Sequence, residues 1–337
     1  MNALVVTAAF LIFGVTSFCM AVEPPAPEIA KFIEGARGEK RIVIYHAPVV
    51  PDIKMILDRF TQKYPFMSGE QYRASSVSLV NRVMAEARAK VNKWDVIINN
   101  SLFLQQLKKD DVLLKYPPAE RSAYGKGFRD EDGYWNGIFI NTHVVCYNTR
   151  LVAPKDVPRS YMDLLDPKWA GRIAIESEPY EWVAGIEKVW GRQKAWDYLR
   201  QLSKQKVIIR QGRSLLTQLC SAGEFALTLP VYGYDVDRKK REGAPLDWLP
   251  LDPVIVNQLG IAVAKTPPSP NAARLFVEFA LSREGQSVVR EFGRIPARLE
   301  IQPDPPRLTQ DIHLIPTDPN LGAEVSRVLK EFNSVFK

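Results

Sequence analysis

The chain has 337 residues, of which 46% are hydrophobic and 25% are charged, and its net charge is +7. This length exceeds what one hydrophobic core usually supports, so the sequence predicts two domains of ordinary globular composition. No run of Lys and Arg is long enough to indicate binding to nucleic acid, so we expect no nucleic-acid partner.

The first 21 residues, MNALVVTAAFLIFGVTSFCMA, form an apolar stretch that ends in small residues. This pattern is typical of a secretory signal peptide, and the apolar part is short for a membrane span. We expect cleavage after Ala21 and export to the periplasm. Cys19 raises a lipoprotein as the alternative, but the preceding Phe18 matches a lipid-attachment site poorly.

Cleavage there leaves two cysteines, Cys146 in a predicted strand and Cys220 in a predicted helix. An oxidising compartment permits a disulfide, but the two positions are far apart in the sequence, and buried free thiols are the favoured interpretation. The cysteines and histidines form no close cluster, so we expect no zinc site.

The predicted elements of the first part of the chain alternate. KRIVIYHAPVV and WDVIINN predict strands, while PDIKMILDRFTQKYPF, SLVNRVMAEARAK and SLFLQQLKKDDVL predict helices. This alternation favours a mostly parallel sheet covered on both faces, and such sheets bind ligands beyond the carboxyl ends of their strands. Residues after these strands are therefore candidates for ligand contact, with local turn capping as the alternative. They are Tyr45, His46, Asn99, Asn100 and Ser101.

Two β-rich stretches, YWNGIFINTHVVCYNT and PVIVNQLGIAVAKT, enclose a second α/β segment and are long enough to cross between lobes. Helices follow in SPNAARLFVEFALSREGQSVVREFG, with Ser269 as N-cap and Pro270 in the first turn. We expect lobe 1 to comprise residues 40–140 and 259–300, with lobe 2 inserted at 141–258. The C-terminal segment 301–337 is expected to pack on the lobes.

Four stretches in order, SYMDLLDPKWAGRIAIES, AGEFAL, PNAARLFVEFALSREGQ and GRIPAR, resemble periplasmic solute-binding proteins of bacterial ABC importers. The likeness covers roughly residues 40 to 300 and is greatest to the ferric-iron-binding branch. It implies a two-lobed α/β fold, the type II periplasmic binding protein fold, with mixed, mostly parallel sheets flanked by helices. The lobes would close on a small-molecule solute by hinge motion. We expect a monomer whose second partner is the permease of an ABC transporter.

Tyr232 and Tyr234 lie two apart in TLPVYGYDVDRKK, and such positions share one face of a strand. The pair can ligate a hard metal ion, stack on a ring or pack in the core. The resemblance implies that ferric-binding relatives use two adjacent tyrosines, a His and a carboxylate. Here the pair is split and His46 directly follows its strand, so at most Tyr232 carries over. Tyr232 is the best metal candidate, and ferric iron is a candidate ligand without being a certain cofactor.

Two further segments follow predicted strands. In VIIRQGRS a helix begins after the strand, and its free N–H groups together with a guanidinium favour an anion. The alternative is that both arginines face water and that Ser214 only caps the helix. In ESEPYEWVAG, Trp182 can stack on a ligand, or it can anchor its helix while the glutamates face water. The candidates are Arg210, Arg213 and Ser214 in the first segment, and Ser177, Glu178, Tyr180, Glu181 and Trp182 in the second.

The sequence carries no glycine-rich phosphate loop, no G-x-S-x-G and no H-E-x-x-H. We therefore expect a binding protein and not an enzyme. Its ligand would be a small oxyanion-bearing organic solute, or ferric iron with an anion, delivered to an ABC importer. Two different functions stay open, namely a secreted enzyme on the same fold and a sensory binding protein without a transporter.

Overall fold

The computed structural model describes residues 27–336, so the expected signal peptide lies outside the described residues. Within that range no helix combines the length and apolarity needed to cross a membrane. The first part of the fold alternates between helices and strands. Its elements are α1 (Pro27–Glu39), β1 (Arg41–His46), α2 (Val50–Lys63), β2 (Ser68–Arg73), α3 (Ser76–Arg88), β3 (Val96–Asn100) and α4 (Ser101–Lys109).

The middle of the chain begins with the long strand predicted to cross between lobes. The elements are β4 (Asn136–Asn148), β5 (Ile173–Glu176), α5 (Tyr180–Trp190), α6 (Arg192–Ser203), β6 (Ile208–Arg210), α7 (Arg213–Ala222), β7 (Leu227–Tyr232), α8 (Gly233–Arg241), β8 (Leu246–Leu249) and β9 (Val254–Val263). The last elements are α9 (Pro270–Leu281), α10 (Arg283–Glu291), β10 (Ile295–Pro296), β11 (Leu314–Pro316) and α11 (Val325–Val335).

The strands form one mixed sheet in the order β2-β1-β3-β9-β4-β7-β5-β6, with β10 and β8 on β4 and β11 on β9. Residues 136–142 of β4 pair with β9, whereas residues 143–147 pair with β7. β4 therefore leaves one group of strands and joins the other between Thr142 and His143. This is the two-lobed α/β architecture that the sequence predicts, while the exact boundaries of the lobe segments remain predictions.

Hydrophobic packing divides less sharply than the strand pairing does. In α2, Ile53, Ile56 and Phe60 are fully buried at helical spacing, and they belong to a core shared with α9 and α10. A second core lies around α5 and α6 and holds Trp182 and Trp196. The first core also takes in buried side chains from α7, β7 and β8, so apolar packing is continuous from one group of strands into the other.

Two elements of lobe 1 were not predicted from the sequence. β2 has the polar sequence SGEQYR and lies at the sheet edge, where it pairs in parallel with β1. α1 packs against α9, and the carboxylate of Glu39 at its end accepts hydrogen bonds from the backbone N–H groups of Asn271 and Ala272, at 3.1 and 2.7 Å. Ser269 occupies the predicted N-cap position of α9, but its hydroxyl makes no capping hydrogen bond there. A carboxylate from another helix caps α9 instead.

Candidate functional site between the lobes

Polar and aromatic side chains gather where β4 crosses between the two groups of strands. His143 is paired with Tyr232 in the register of β4 and β7, and their rings stack with centroids 5.6 Å apart. Tyr234 in turn stacks on Tyr232, with the centroids 5.8 Å apart and the rings inclined by 19°. Two charged groups from α5 and α7 complete the group. We call it the cleft cluster: His143, Glu181, Arg213, Tyr232 and Tyr234.

The two tyrosines do not share a strand, so the prediction drawn from their spacing was wrong. β7 ends at Tyr232 and α8 begins at Gly233, so Tyr234 belongs to a helix. A Cβ atom on Gly233 would lie 2.6 Å from Oγ1 of Thr142, well inside contact distance. The glycine thus allows α8 to start against the crossing strand, and the rings still stack. The close approach of Gly233 to Thr142 therefore explains why a glycine separates the two tyrosines.

Arg213 occupies the first turn of α7. The turn before it is fixed by Gly212, whose φ is +104° and whose N–H donates to the buried Glu176 carboxylate at 3.0 Å. The guanidinium lies over the Tyr232 ring, 5.2 Å from its centroid, and the side chain is 17% exposed. Its Nε and Nη2 atoms have no hydrogen-bond partner among the described residues. Unpaired donors at such a position favour an acceptor from outside the chain.

Glu181, from the first turn of α5, is 2% exposed and connects the lobes. Its Oε1 accepts a hydrogen bond from Nδ2 of Asn100 at 3.0 Å and another from Nδ2 of Asn257. Its Oε2 lies 3.7 Å from both Nε2 of His143 and Nη2 of Arg213, beyond direct hydrogen bonding. One oxygen of the carboxylate is therefore fully used by the protein, and the other faces the cluster.

A second arginine lies at the other end of the aromatic stack. The guanidinium carbon of Arg294 is 3.7 Å from the Tyr234 ring centroid. Arg294 donates two hydrogen bonds to Oδ2 of Asp52, from Nε at 3.0 Å and from Nη2 at 2.8 Å. The Arg294 and Asp52 side chains are each about one-tenth exposed. This end of the stack is closed by a partnered ion pair.

Burial sets the protonation of the aromatic groups. It lowers the pKa of His143 well below 6.5, and the nearby charge of Arg213 acts in the same direction. It raises the pKa of Tyr232 to about 12, against the opposing effect of Arg213. Near neutral pH, His143 is therefore an uncharged imidazole and Tyr232 a protonated phenol. The cluster presents neutral hydrogen-bonding groups beside one cation and one anion.

The residues predicted at the ends of β1 and β3 mostly serve local structure. Tyr45 is buried, its hydroxyl donates to Glu86 at 2.8 Å, and its ring stacks near Trp94. His46 is buried with Nδ1 3.1 Å from the Pro48 carbonyl oxygen. Three neighbours are tied by hydrogen bonds: Asn99 to Ser76, Ser101 to Gln258, and Asn100 to Leu102 as the cap of α4. Of these, the structure brings only Asn100 to the cleft cluster.

In the ESEPYEWVAG segment, too, the structure separates residues that serve local structure from the one that joins the cleft cluster. Trp182 is 1% exposed and donates from Nε1 to the Tyr161 hydroxyl at 3.1 Å, so it anchors α5 in the core. Ser177 donates to Glu176, and Glu178 is exposed. Tyr180 is half-buried at the start of α5, beside a groove between α4 and the C-terminal segment. Glu181 is the residue of this segment that joins the cluster.

Among the predicted arginines, the structure separates Arg210 from Arg213. Arg210 is exposed and donates to the carbonyl of its neighbour, and Ser214 lies in the first turn of α7 without capping it. Sequence reasoning missed His143 and Arg294 as neighbours of the tyrosines. The signal for His143 was the polar run Asn141-Thr142-His143, which interrupts the apolar residues of the crossing strand.

The donor types that ferric iron prefers are partly present. The cluster offers phenols, one imidazole and one carboxylate, but Tyr232 is protonated near neutral pH and Glu181 already receives two amide hydrogen bonds. Within residues 27–336 no group of three or more His, Cys, Asp or Glu side chains is placed to hold a metal ion. Ferric iron bound here through a phenolate would require Tyr232 to lose its proton.

Residues 91–317 match the family model described as bacterial extracellular solute-binding protein. The chain belongs to this family. Two relatives are an uncharacterized protein of Haemophilus influenzae (29% identical) and iron uptake protein A1 of Synechocystis sp. (27% identical), and each match covers 48% of this chain and 49% of the relative. The chain thus aligns with about half the length of these relatives. The Fe(3+)-binding periplasmic protein of Serratia marcescens is 22% identical over 76% of this chain and 78% of its own.

Solved structures support the fold. Iron-bound HitA from Pseudomonas aeruginosa has a TM-score of 0.75 at 24% identity, covering 88% of this chain and 99% of its own. AfuA from Actinobacillus pleuropneumoniae, with fructose-6-phosphate bound, has a TM-score of 0.70 at 22% identity, covering 88% and 98%. The predicted resemblance and the type II two-lobed fold are confirmed.

Proposed function

We propose that the protein binds a small oxyanion-bearing organic solute in the cleft between its lobes and delivers it to an ABC importer in the periplasm. The family membership supports solute binding as the general role. The observation that carries the choice of ligand is Arg213, whose buried Nε and Nη2 atoms lack a partner among the described residues. A guanidinium with two free donors matches a carboxylate or phosphate group.

The groups next to Arg213 further restrict the kind of ligand that the site favours. Oε2 of Glu181 lies 3.7 Å from both Arg213 and His143, which leaves an acceptor directed at the cluster. A hydroxyl on the solute can donate to this oxygen while the oxyanion accepts from Arg213. An inorganic anion that carries no hydroxyl, such as sulfate, would satisfy Arg213 but would meet Glu181 as a like charge. A hydroxylated organic anion suits both groups.

Ferric iron with a bound anion is the second candidate. The names of several relatives refer to iron, and Tyr232, His143 and Glu181 provide hard or borderline donors close together. The burial that raises the pKa of Tyr232 acts against the phenolate that such a site requires, although a bound cation would oppose that effect. We therefore place iron second.

Native mass spectrometry of protein purified without refolding tests the proposal by weighing the bound ligand. Isothermal titration with inorganic sulfate, citrate, fructose 6-phosphate and ferric citrate then ranks these ligands by affinity. We expect a hydroxylated organic anion to bind more tightly than inorganic sulfate, and the protein to stay colourless with ferric citrate. A coloured protein that loses both colour and iron in Tyr232→Phe would establish iron as the ligand.

Three further measurements test the proposed role. Two of them distinguish an importer subunit from an enzyme and from a sensory protein, and the third tests hinge closure. A solute recovered chemically unchanged after incubation supports binding, whereas turnover would indicate an enzyme on this fold. Small-angle scattering should show a smaller radius of gyration with ligand, as hinge closure requires. Binding to the purified permease would distinguish an importer subunit from a purely sensory protein.

The proposed export has its own test. N-terminal sequencing of protein recovered from the periplasm should begin near Val22, because the apolar N-terminal stretch is expected to be removed after Ala21. Intact Met1 in a soluble cytoplasmic pool would contradict it.

A further inference from the structure

The two cysteines expected in the mature protein are neighbours in the fold. Cys146 lies on β4 and Cys220 in the last turn of α7, and 74 positions separate them in the sequence. Their Sγ atoms are 3.9 Å apart, and both residues are fully buried. The structure has both as thiols. A disulfide requires the two sulfurs to approach to about 2.05 Å, and the contact already places them as nearest neighbours in the core.

The backbone on both sides is already held in place. Cys146 pairs within the sheet with Thr228 on β7 and with Trp248 on β8. On the helix side, Nδ2 of Asn148 donates to the carbonyl oxygen of Cys220 at 2.8 Å, which joins the end of α7 to β4 independently of the sulfur atoms. The contact between the sulfurs is therefore a consequence of fixed elements and not of two mobile side chains.

We propose that Cys146 and Cys220 form a disulfide in the exported protein, an inference that rests on the periplasmic location named in the proposed function. Two S–H bonds break and one S–S bond forms. The two electrons and two protons pass to a protein disulfide of the periplasmic oxidant class, through a mixed disulfide with one of the two cysteines.

Burial determines when this reaction can occur. A mixed disulfide needs access to one thiolate, and in the folded protein both sulfurs are enclosed, with the thiol pKa of Cys146 raised well above its usual value by burial. The bond therefore forms before α7 docks on the sheet, and once formed it is shielded from reductants. The link then joins α7, which carries Arg213 in its first turn, to β4, which carries His143 three positions before Cys146.

The test uses full-length protein exported to an oxidising compartment and the same protein made in a reducing cytosol. Each is unfolded without reductant, alkylated with N-ethylmaleimide and weighed, and peptides are mapped to separate Cys19 from the others. For the exported protein we expect no alkylation at Cys146 or Cys220, a mass lower by two hydrogens, and one peptide pair joined through these residues. Alkylation of both in the exported protein would overturn the proposal.

The melting temperature provides an independent test of the disulfide. Exported protein is reduced while unfolded and refolded with reductant present, and this dithiol form should melt roughly 5–10 °C below the disulfide form, because the link closes a long loop. A Cys146→Ala, Cys220→Ala double variant should melt at one temperature with or without reductant. Exported wild type that also melts at one temperature under both conditions would count against the bond. Neither result depends on ligand binding, so failure here is distinguishable from failure of the proposed function.

Discussion

Two arginines lie over the two stacked tyrosines, and they differ in their partners. Arg294 sits on Tyr234 and gives two hydrogen bonds to Asp52, so its charge is neutralised within the protein. Arg213 sits on Tyr232 with two donors unpaired among the described residues and the nearest carboxylate oxygen at 3.7 Å. A buried charge that is paired serves the fold, whereas one left partly unpaired costs stability unless something else binds it. On this difference we base the proposal that the solute binds at the Arg213 end of the stack.

The largest expected effect comes from Arg294→Met. Removing this guanidinium leaves Asp52 in a buried site without its partner, which should lower the free energy of unfolding by about 3 kcal/mol. Burial already raises the pKa of Asp52 against the effect of Arg294, so protonation of the carboxyl limits the loss. Urea denaturation measures it, and adding Asp52→Asn should restore part of the stability. Unchanged stability with lost solute affinity would reverse the assignment of the two arginines.

Arg213→Met is expected to have the opposite profile. Affinity for the best-binding member of the titration panel should fall roughly 10- to 100-fold, because charge-assisted hydrogen bonds to the oxyanion are lost. Stability should stay the same or rise, since two unpaired donors are removed. Arg210→Met is the matched control: that side chain is exposed in the same segment, and its loss should leave affinity unchanged. An equal loss of affinity in both variants would place the anion elsewhere.

Tyr232→Phe tests whether the Tyr232 hydroxyl contributes to solute binding at the Arg213 end of the stack. The variant keeps the stack with His143 and removes only the hydroxyl. We expect a loss in affinity of about 1 kcal/mol, or roughly fivefold, with no change in visible absorbance. Tyr234→Phe serves as the control at the Arg294 end and should leave affinity nearly unchanged. A larger loss for Tyr234→Phe would contradict the division proposed for the stack.

A fourth expected effect is a dependence of stability on pH at His143. Its pKa in the folded state is lowered by burial, so below about pH 6.5 the unfolded chain binds a proton that the folded chain does not. Stability should fall as pH decreases, by up to about 1.4 kcal/mol per pH unit for this group. His143→Phe should flatten the curve between about pH 7.5 and 5.5, the range around the ordinary histidine pKa.

Two other groups also contribute to the pH dependence of stability in this range. The quantity to measure is therefore the difference between the stability curves of wild type and His143→Phe. Burial also lowers the pKa of His46, which adds a slope of the same sign. Asp95 has a pKa raised to about 6 by burial, so it favours the folded state as pH falls and acts in the opposite direction. Parallel curves for wild type and His143→Phe would show that His143 does not set this dependence.

The sequence by itself determined the fold class and most elements. The spacing of Ile53, Ile56 and Phe60 defined α2, and the two apolar crossing stretches became β4 and β9, because periodic burial is a local property of the chain. Sequence reasoning missed β2, whose polar residues pair at a sheet edge where little is buried. It also identified Arg213 as a candidate from its position after a strand, and Tyr232 from the spacing of the tyrosine pair and the family resemblance.

Only the tertiary structure decided which of these polar residues remain without partners. Arg210 and Arg213 are three apart and alike in the sequence, yet one is exposed and the other is held over Tyr232. Glu181 meets Asn100 from 81 positions away, and Arg294 meets Asp52 from 242 positions away. Hydrogen-bond satisfaction depends on groups brought from distant parts of the chain, and no local pattern of residues records it.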